Sequence, residues 1–223
     1  MILAVLLAGC SAPQTVPPPS STSPPPSTPV PQNWNQLSDR AVAALVPKDT
    51  FDPDAPWSKD IPAAPGEIVA QTSGVAFLCG DVEIKSGMRV MRHRLWSGPY
   101  KVVWQNVHAL SEGKTADLLD RVREKARACP SYVRKEGKPE RVVTPDVAMD
   151  PPPPGFDDLY AYCETAPDVQ EGQHNCQAYL ARGNLLVNFG SNVISDDPVL
   201  TRGTAQQQLK EMLPIVAQAV AAA

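Results

Sequence analysis

The residues with chemistry to offer are five cysteines, three histidines and a few grouped carboxylates, arginines and aromatics. His93, His108 and His174 fall on different segments without a carboxylate at ligand spacing. They read as solvated or core histidines, and no metal is expected. Ser191 and Ser195 lack the glycine-flanked turn that exposes a nucleophile, and no glycine-rich phosphate loop precedes a helical segment. Asp157-Asp158 and Asp196-Asp197 pair carboxylates, but Asp197-Pro198 reads as the start of a turn or helix rather than as acid–base machinery. Neither catalysis nor a cofactor is expected from these residues. Recognition remains. Arg92 and Arg94 share one face of a strand and could meet an anion or a polar ligand. Tyr160 and Tyr162 also share a strand face and, with Trp104, could line a cleft. The blander alternatives are a solvated sheet face for the arginines and a core position for Trp96 and Trp104.

The first cysteine differs from the rest. Met1 to Gly9 is an uncharged apolar run that ends Leu7-Ala8-Gly9-Cys10. This pattern resembles the lipobox of bacterial lipoproteins, which implies that the Cys10 thiol takes a diacylglyceryl group and that Cys10 becomes the mature N-terminus. The run is too short to span a bilayer. It has no Lys or Arg ahead of it, so a basic region is expected upstream of Met1. The expected location is the extracytoplasmic face of a cell membrane, held there by two acyl chains. Setting Cys10 aside leaves Cys79, Cys129, Cys163 and Cys176, an even set in an oxidising compartment, so two disulfides are expected. Their spacing does not choose among the possible pairings. It also lacks the short gaps of a zinc site and leaves no unpaired thiol to act as a nucleophile.

Composition sets the organisation. Residues 1–9 form the signal segment. Residues 10–33 are rich in Pro, Ser and Thr, with Pro17-Pro18-Pro19 and Pro24-Pro25-Pro26, and cannot bury enough apolar surface to offset their ordering entropy. As an extended polyproline spacer they would hold the rest of the chain up to roughly 70 Å from the membrane. Residues 34–223 are long enough for one domain with its own core. The chain has 20 Lys+Arg against 24 Asp+Glu, a formal charge of −4, and no basic patch, so nucleic acid is not an expected partner.

The elements that must position the candidate residues follow from periodicity. Asn35 to Val46 approximates a helical face that Pro47 ends. Glu67 to Thr72 reads as a short strand. Met88 to Trp96 and Lys101 to Leu110 read as a hairpin around Ser97-Gly98-Pro99-Tyr100, although Arg92, His93 and Arg94 interrupt one strand and Gln105-Asn106 the other. Lys114 to Ala128 is the clearest helix. Leu118, Val122, Ala126 and Cys129 line one face, charged residues the other, and Pro130 stops it. Leu159 to Cys163 is a strand. Cys176 to Ala181 and Leu185 to Phe189 form a hairpin around Arg182-Gly183-Asn184. Thr204 to Ala222 is a helix with a kink expected at Pro214. This order predicts an α+β domain: an antiparallel sheet with the helices packed on one face, stapled by disulfides.

Cys79-Gly80, the hairpin with Trp96 and Val103-Trp104-Gln105, the helix ending in Cys129-Pro130, and Leu180-Ala181-Arg182-Gly183-Asn184-Leu185-Leu186-Val187 together resemble the PknH-like extracellular sensor domain of actinobacteria. The resemblance covers roughly residues 35 to 222. That domain occurs on a receptor serine/threonine kinase and also as free lipoproteins; here there is no kinase and no transmembrane helix. The resemblance implies an α+β fold with a cleft, a ligand-binding role without catalytic residues, and disulfides joining Cys79 to Cys129 and Cys163 to Cys176. The expected function is a membrane-anchored envelope lipoprotein whose sensor-like domain binds a small extracellular ligand or a partner protein. An envelope hydrolase or transferase with an unrecognised site and a structural scaffold lipoprotein are the alternatives.

Overall fold

The structure is a computed structural model that describes residues 33–48, 50, 59–60, 74–84, 89–97, 101–133, 136, 138, 140–166, 172–195 and 198–223. The expected signal segment with Cys10, the expected spacer up to residue 32, the strand expected over Glu67 to Thr72 and the pair Asp196-Asp197 lie outside the described residues. In chain order the elements are α1 (Trp34–Ala43), β1 (Lys59–Asp60), β2 (Gly74–Phe77), β3 (Asp81–Glu83), β4 (Arg89–Ser97), β5 (Lys101–Leu110), α2 (Thr115–Ala128), β6 (Ser131–Val133), β7 (Glu140–Thr144), β8 (Asp158–Ala166), β9 (Gly172–Arg182), β10 (Leu185–Ser195) and α3 (Pro198–Ala221). An 8-stranded antiparallel sheet runs β1-β4-β5-β10-β9-β8-β7-β6, and β2 and β3 form a separate hairpin. The expected α+β class is the one formed, and the two cystines are Cys79–Cys129 and Cys163–Cys176.

The central strands explain the layering. Every position from Cys176 to Ala181 and from Leu185 to Ser191 is buried, which requires cover on both faces of the sheet. Side chains alternate accordingly. Ala178, Leu180, Val187 and Phe189 join one core with Leu37 of α1 and Leu209 and Met212 of α3. Tyr179, Ala181 and Leu186 join a second core with Leu118, Leu119 and Val122 of α2 and Leu78 and Val82 of the β2–β3 hairpin. The helices are thus divided between the faces rather than gathered on one. Cys163 and Cys176 face each other within the β8–β9 ladder, on the α1 and α3 side, rather than at the strand ends.

The polar residues that break the alternation of β4 and β5 have partners. Gln105 is fully buried; its Nε2 donates to the Ala44 carbonyl at 3.0 Å and its Oε1 accepts from the Val46 amide at 2.8 Å, which seats the chain leaving α1 on β5. Arg94 donates to the Val46 carbonyl, Arg92 to Ser38 Oγ at 2.6 Å, and Trp96 Nε1 to the Lys48 carbonyl at 3.0 Å. The Gly183-Asn184 turn between β9 and β10 is a second anchor. Gly183 takes a positive φ of 58°, as the first position of a two-residue hairpin loop favours. Its carbonyl accepts from Thr115 Oγ1 at the start of α2, its amide donates to Asp157, and Asn184 Oδ1 accepts from Arg40 of α1.

α3 begins earlier than expected, at Pro198, and stays helical through Pro214. Pro214 and Lys210 are both exposed, so the carbonyl left without its i+4 donor faces water. Leu209, Met212, Leu213, Val216 and Val220 fill the buried stripe.

Candidate functional site

On the α2 side of the sheet the strands change character along their length. Beneath α2 the inward positions are apolar or aromatic, with Tyr160, Ala181 and Leu186 in its core. Further along, the same face carries polar side chains in cross-strand rungs. Trp104, Gly190, Gln177 and Tyr162 are register partners across β5, β10, β9 and β8, and Asn106, Asn188, Tyr179 and Tyr160 form the adjacent rung. On the other side Asn175 of β9 stands opposite Glu164 of β8. These rungs floor a cavity of about 220 Å³, walled by Val75, Ala76 and Phe77 of β2 and by Tyr132 of β6.

The Cys79–Cys129 disulfide holds the wall in place, tying the β2–β3 turn to the end of α2. Cys79 itself sits at φ 51° in that turn, ahead of Gly80 at φ 114°. Further ties come from Arg121 Nη1, which donates to the Glu83 carbonyl at 2.8 Å, and from the Phe77 and Tyr132 rings, 5.5 Å apart.

The hydrogen bonds of the floor run in one direction because one end of the network can only donate. Trp104 Nε1 donates to Asn188 Oδ1 at 3.1 Å, joined there by Asn106 Nδ2 at 3.0 Å. An indole N–H has no acceptor capacity, so Asn188 is fixed with its oxygen toward Trp104 and its Nδ2 toward Gln177 Oε1, at 3.0 Å. Gln177 Oε1 also accepts from the Tyr179 hydroxyl at 3.3 Å, and Gln177 Nε2 donates to the Tyr162 oxygen at 2.7 Å. Burial pushes both Tyr162 and Tyr179 well above the ordinary phenol range, so both are protonated at neutral pH.

A second cluster of hydrogen bonds centres on the Glu164 carboxyl group. Glu164 is 3% exposed. Its Oε1 takes the Tyr132 hydroxyl at 2.7 Å; its Oε2 takes Asn175 Nδ2 at 3.3 Å and Arg141 Nη1 at 3.4 Å. With Nδ2 committed to Glu164, Asn175 Oδ1 points elsewhere, and among the described residues this buried oxygen has no donor. Glycine is required at position 190. A Cβ there would lie 2.3 Å from Trp104 Cζ2 and 2.7 Å from the Cys176 carbonyl oxygen, so the indole lies across β10 only because the side chain is missing.

Of the residues picked out in the sequence, Trp104 and Tyr162 line this cavity. Tyr160 lies on the same face but toward α2, its oxygen accepting from the Asp146 amide at 3.4 Å and its ring 5.3 Å from the Arg123 guanidinium. Arg92 and Arg94 sit on the opposite face, engaged with α1 and the segment after it. His108 is buried, His174 meets Thr165 Oγ1 at 3.0 Å, and Asp157 and Asp158 bind the Gly183 amide and Arg123. Among the described residues no three His, Cys, Asp or Glu side chains cluster as metal ligands would.

Asn106, Asn175, Gln177, Asn188, Glu164 and Tyr132 belong to the site and were not singled out from the sequence. The available signal was an amide or carboxylate inside an otherwise apolar central strand, as at Gln177 and Asn188, because such a group must find a partner or line a cavity. Compared with family models, with characterised proteins and with solved structures, the chain has no significant match.

Proposed function

We propose that this chain is a lipid-anchored cell-envelope protein whose sensor-like domain binds a small extracellular ligand in the cleft floored by Trp104, Gln177, Asn188 and Asn175. The observation that carries the reading is a buried, directionally fixed hydrogen-bond network lining a cavity beside an aromatic platform. Binding sites combine apolar or aromatic walls with a few oriented polar groups in this way. Glu164 spends both oxygens on Tyr132, Asn175 and Arg141, which favours a role in holding the floor over acid–base work. The anchor rests on the resemblance of Leu7-Ala8-Gly9-Cys10 to a lipobox, and among the described residues no helix is long and apolar enough to cross a membrane.

The test is a thermal-shift screen of the full chain against small glycans, short peptides and organic anions, repeated on Trp104→Ala. A ligand that binds the native state must raise the melting midpoint. The reading expects at least one compound to do so and the variant to lose that response. A screen in which nothing shifts the parent, or in which the shift survives unchanged in Trp104→Ala, would remove the cleft as the binding site.

A further inference from the structure

The two cystines stand in opposite surroundings. Cys163 and Cys176 are 2% and 0% exposed and lie inside the β8–β9 ladder, where no external thiol reaches them while the sheet is intact. Cys79 is exposed at the tip of the β2–β3 hairpin, and only its partner Cys129 is buried. The Cys79 backbone is held at φ 51°, a left-handed conformation that is unfavourable for a residue other than glycine and persists only where the surroundings impose it. Lys125 of α2 lies alongside. A Cβ on Gly80 would stand 3.8 Å from Lys125 Nζ, so an ammonium sits beside the turn and favours an approaching thiolate. Thiol–disulfide exchange needs an accessible sulfur and an attacking thiolate; this corner presents the first and attracts the second. Among the described residues no backbone hydrogen bond joins β2 or β3 to the eight-stranded sheet. Apart from the cystine, side chains hold the hairpin: Val75, Ala76, Leu78 and Val82 are buried, Arg121 bonds the Glu83 carbonyl, and the Tyr179 hydroxyl reaches the Val75 carbonyl at 3.4 Å. A two-stranded hairpin is marginal by itself, and this one supplies the wall of the cleft.

We propose that Cys79–Cys129 is a thiol-exchange switch on the cleft wall, opened by an external dithiol, while Cys163–Cys176 is a permanent staple. One thiolate of the dithiol attacks Cys79 Sγ, the bond to Cys129 breaks, and Cys129 leaves as a thiolate that takes up a proton. The second thiol then displaces Cys79. Two electrons and two protons have passed to the cystine, and the dithiol ends as a disulfide. With the covalent tie gone, Val75, Ala76 and Phe77 come away from the floor of the cleft. That this opening alters ligand binding rests on the binding reading above; the release of the hairpin does not.

The full chain is incubated without denaturant in dithiothreitol or, in a second arm, in reduced thioredoxin; free thiols are alkylated at intervals and the peptides mapped by mass spectrometry. Cys79 and Cys129 should be modified while Cys163 and Cys176 stay joined, because the buried pair opens only in unfolded molecules, present at roughly one in a thousand or fewer. Faster reduction by thioredoxin at equal thiol concentration indicates a protein dithiol, and the reverse a small one. Hydrogen exchange of the reduced form should speed up in β2 and β3 by roughly tenfold to a thousandfold, the range set by the chain entropy of the lost tie, with β8, β9 and β10 unchanged. Reoxidation should restore it. Both cystines opening together, or Cys79–Cys129 opening only in denaturant, would overturn the switch. Selective reduction that leaves exchange in β2 and β3 unchanged would overturn the release of the wall. Any compound that raises the melting midpoint of the oxidised chain is then titrated into the reduced chain. A changed affinity supports control of the cleft, whereas an unchanged affinity with a freed hairpin would count against the cleft as the binding site and leave the switch standing.

Discussion

Acidification should destabilise this domain through one histidine. His108 lies on β5 between Met91 of β4 and Leu186 of β10 and is 2% exposed. Burial, with a smaller contribution from the Arg89 guanidinium, lowers its pKa from 6.5 to about 3. The folded value lies below the unfolded one, so below pH 6.5 the unfolded chain takes up a proton that the folded chain refuses. Stability therefore falls as pH drops through 6.5 and goes on falling until about pH 3. Each pH unit in that window costs about 1.4 kcal/mol, so the interval from about pH 6.5 down to about 4.5 costs about 3 kcal/mol. That is a large share of the ~5–15 kcal/mol of a typical domain. Urea unfolding of the parent and of His108→Met, at neutral pH and near pH 4.5, isolates the effect from the carboxylates that titrate in both proteins. The variant should lose about 3 kcal/mol less on acidification than the parent. Parallel pH dependences would refute the reasoning, because His108 would then be protonated in the fold or exposed to water.

Gly190→Ala should displace Trp104, cost about 1–3 kcal/mol as an overpacked site does, and change the tryptophan emission, which fluorescence and urea melts would register; a neutral result would mean the indole does not rest on β10. Replacing Cys79 and Cys129 by Ser should cost about 4 kcal/mol by loop entropy and unseat the cleft wall, whereas the Cys163 and Cys176 double replacement should cost about 3 kcal/mol and spare ligand binding. Ligand titration of both double variants separates the two roles, and equal loss of binding in both would count against the wall. Cys10→Ala should leave the membrane fraction or remain unprocessed, since two acyl chains give stable attachment; continued membrane fractionation at unchanged electrophoretic mobility would defeat the lipid anchor.

What could be read from the sequence was what local physics decides. Leu118, Val122 and Ala126 announce α2, and Gly183-Asn184 announces the β9–β10 hairpin, because helical periodicity and turn chemistry need no tertiary context. β2, β3, β6 and β7 were not foreseen; they are short, and their pairing depends on the Cys79–Cys129 tie and on β8. The division of helices between faces was legible in principle, since Cys176 to Ala181 is a buried run with no solvent face. Gln177 interrupts that run as Asn188 interrupts β10, and these two amides were the sequence's pointer to the cleft. Arg92 and Arg94 drew attention through their charge, yet their partners come from α1 and its exit, some 50 residues away in sequence, a pairing no local pattern encodes.

The most direct measurement is an indole N–H spectrum of the isotope-labelled full chain during titration with the compounds that raise its melting midpoint, the Trp104 signal being identified by its loss in Trp104→Phe. Trp96 serves as the internal control, because its Nε1 donates to the Lys48 carbonyl on the other face of the sheet. The account predicts that the Trp104 resonance moves in proportion to occupancy while that of Trp96 stays fixed. Ligand binding, measured in the same sample, that leaves Trp104 unmoved or shifts Trp96 instead would contradict it.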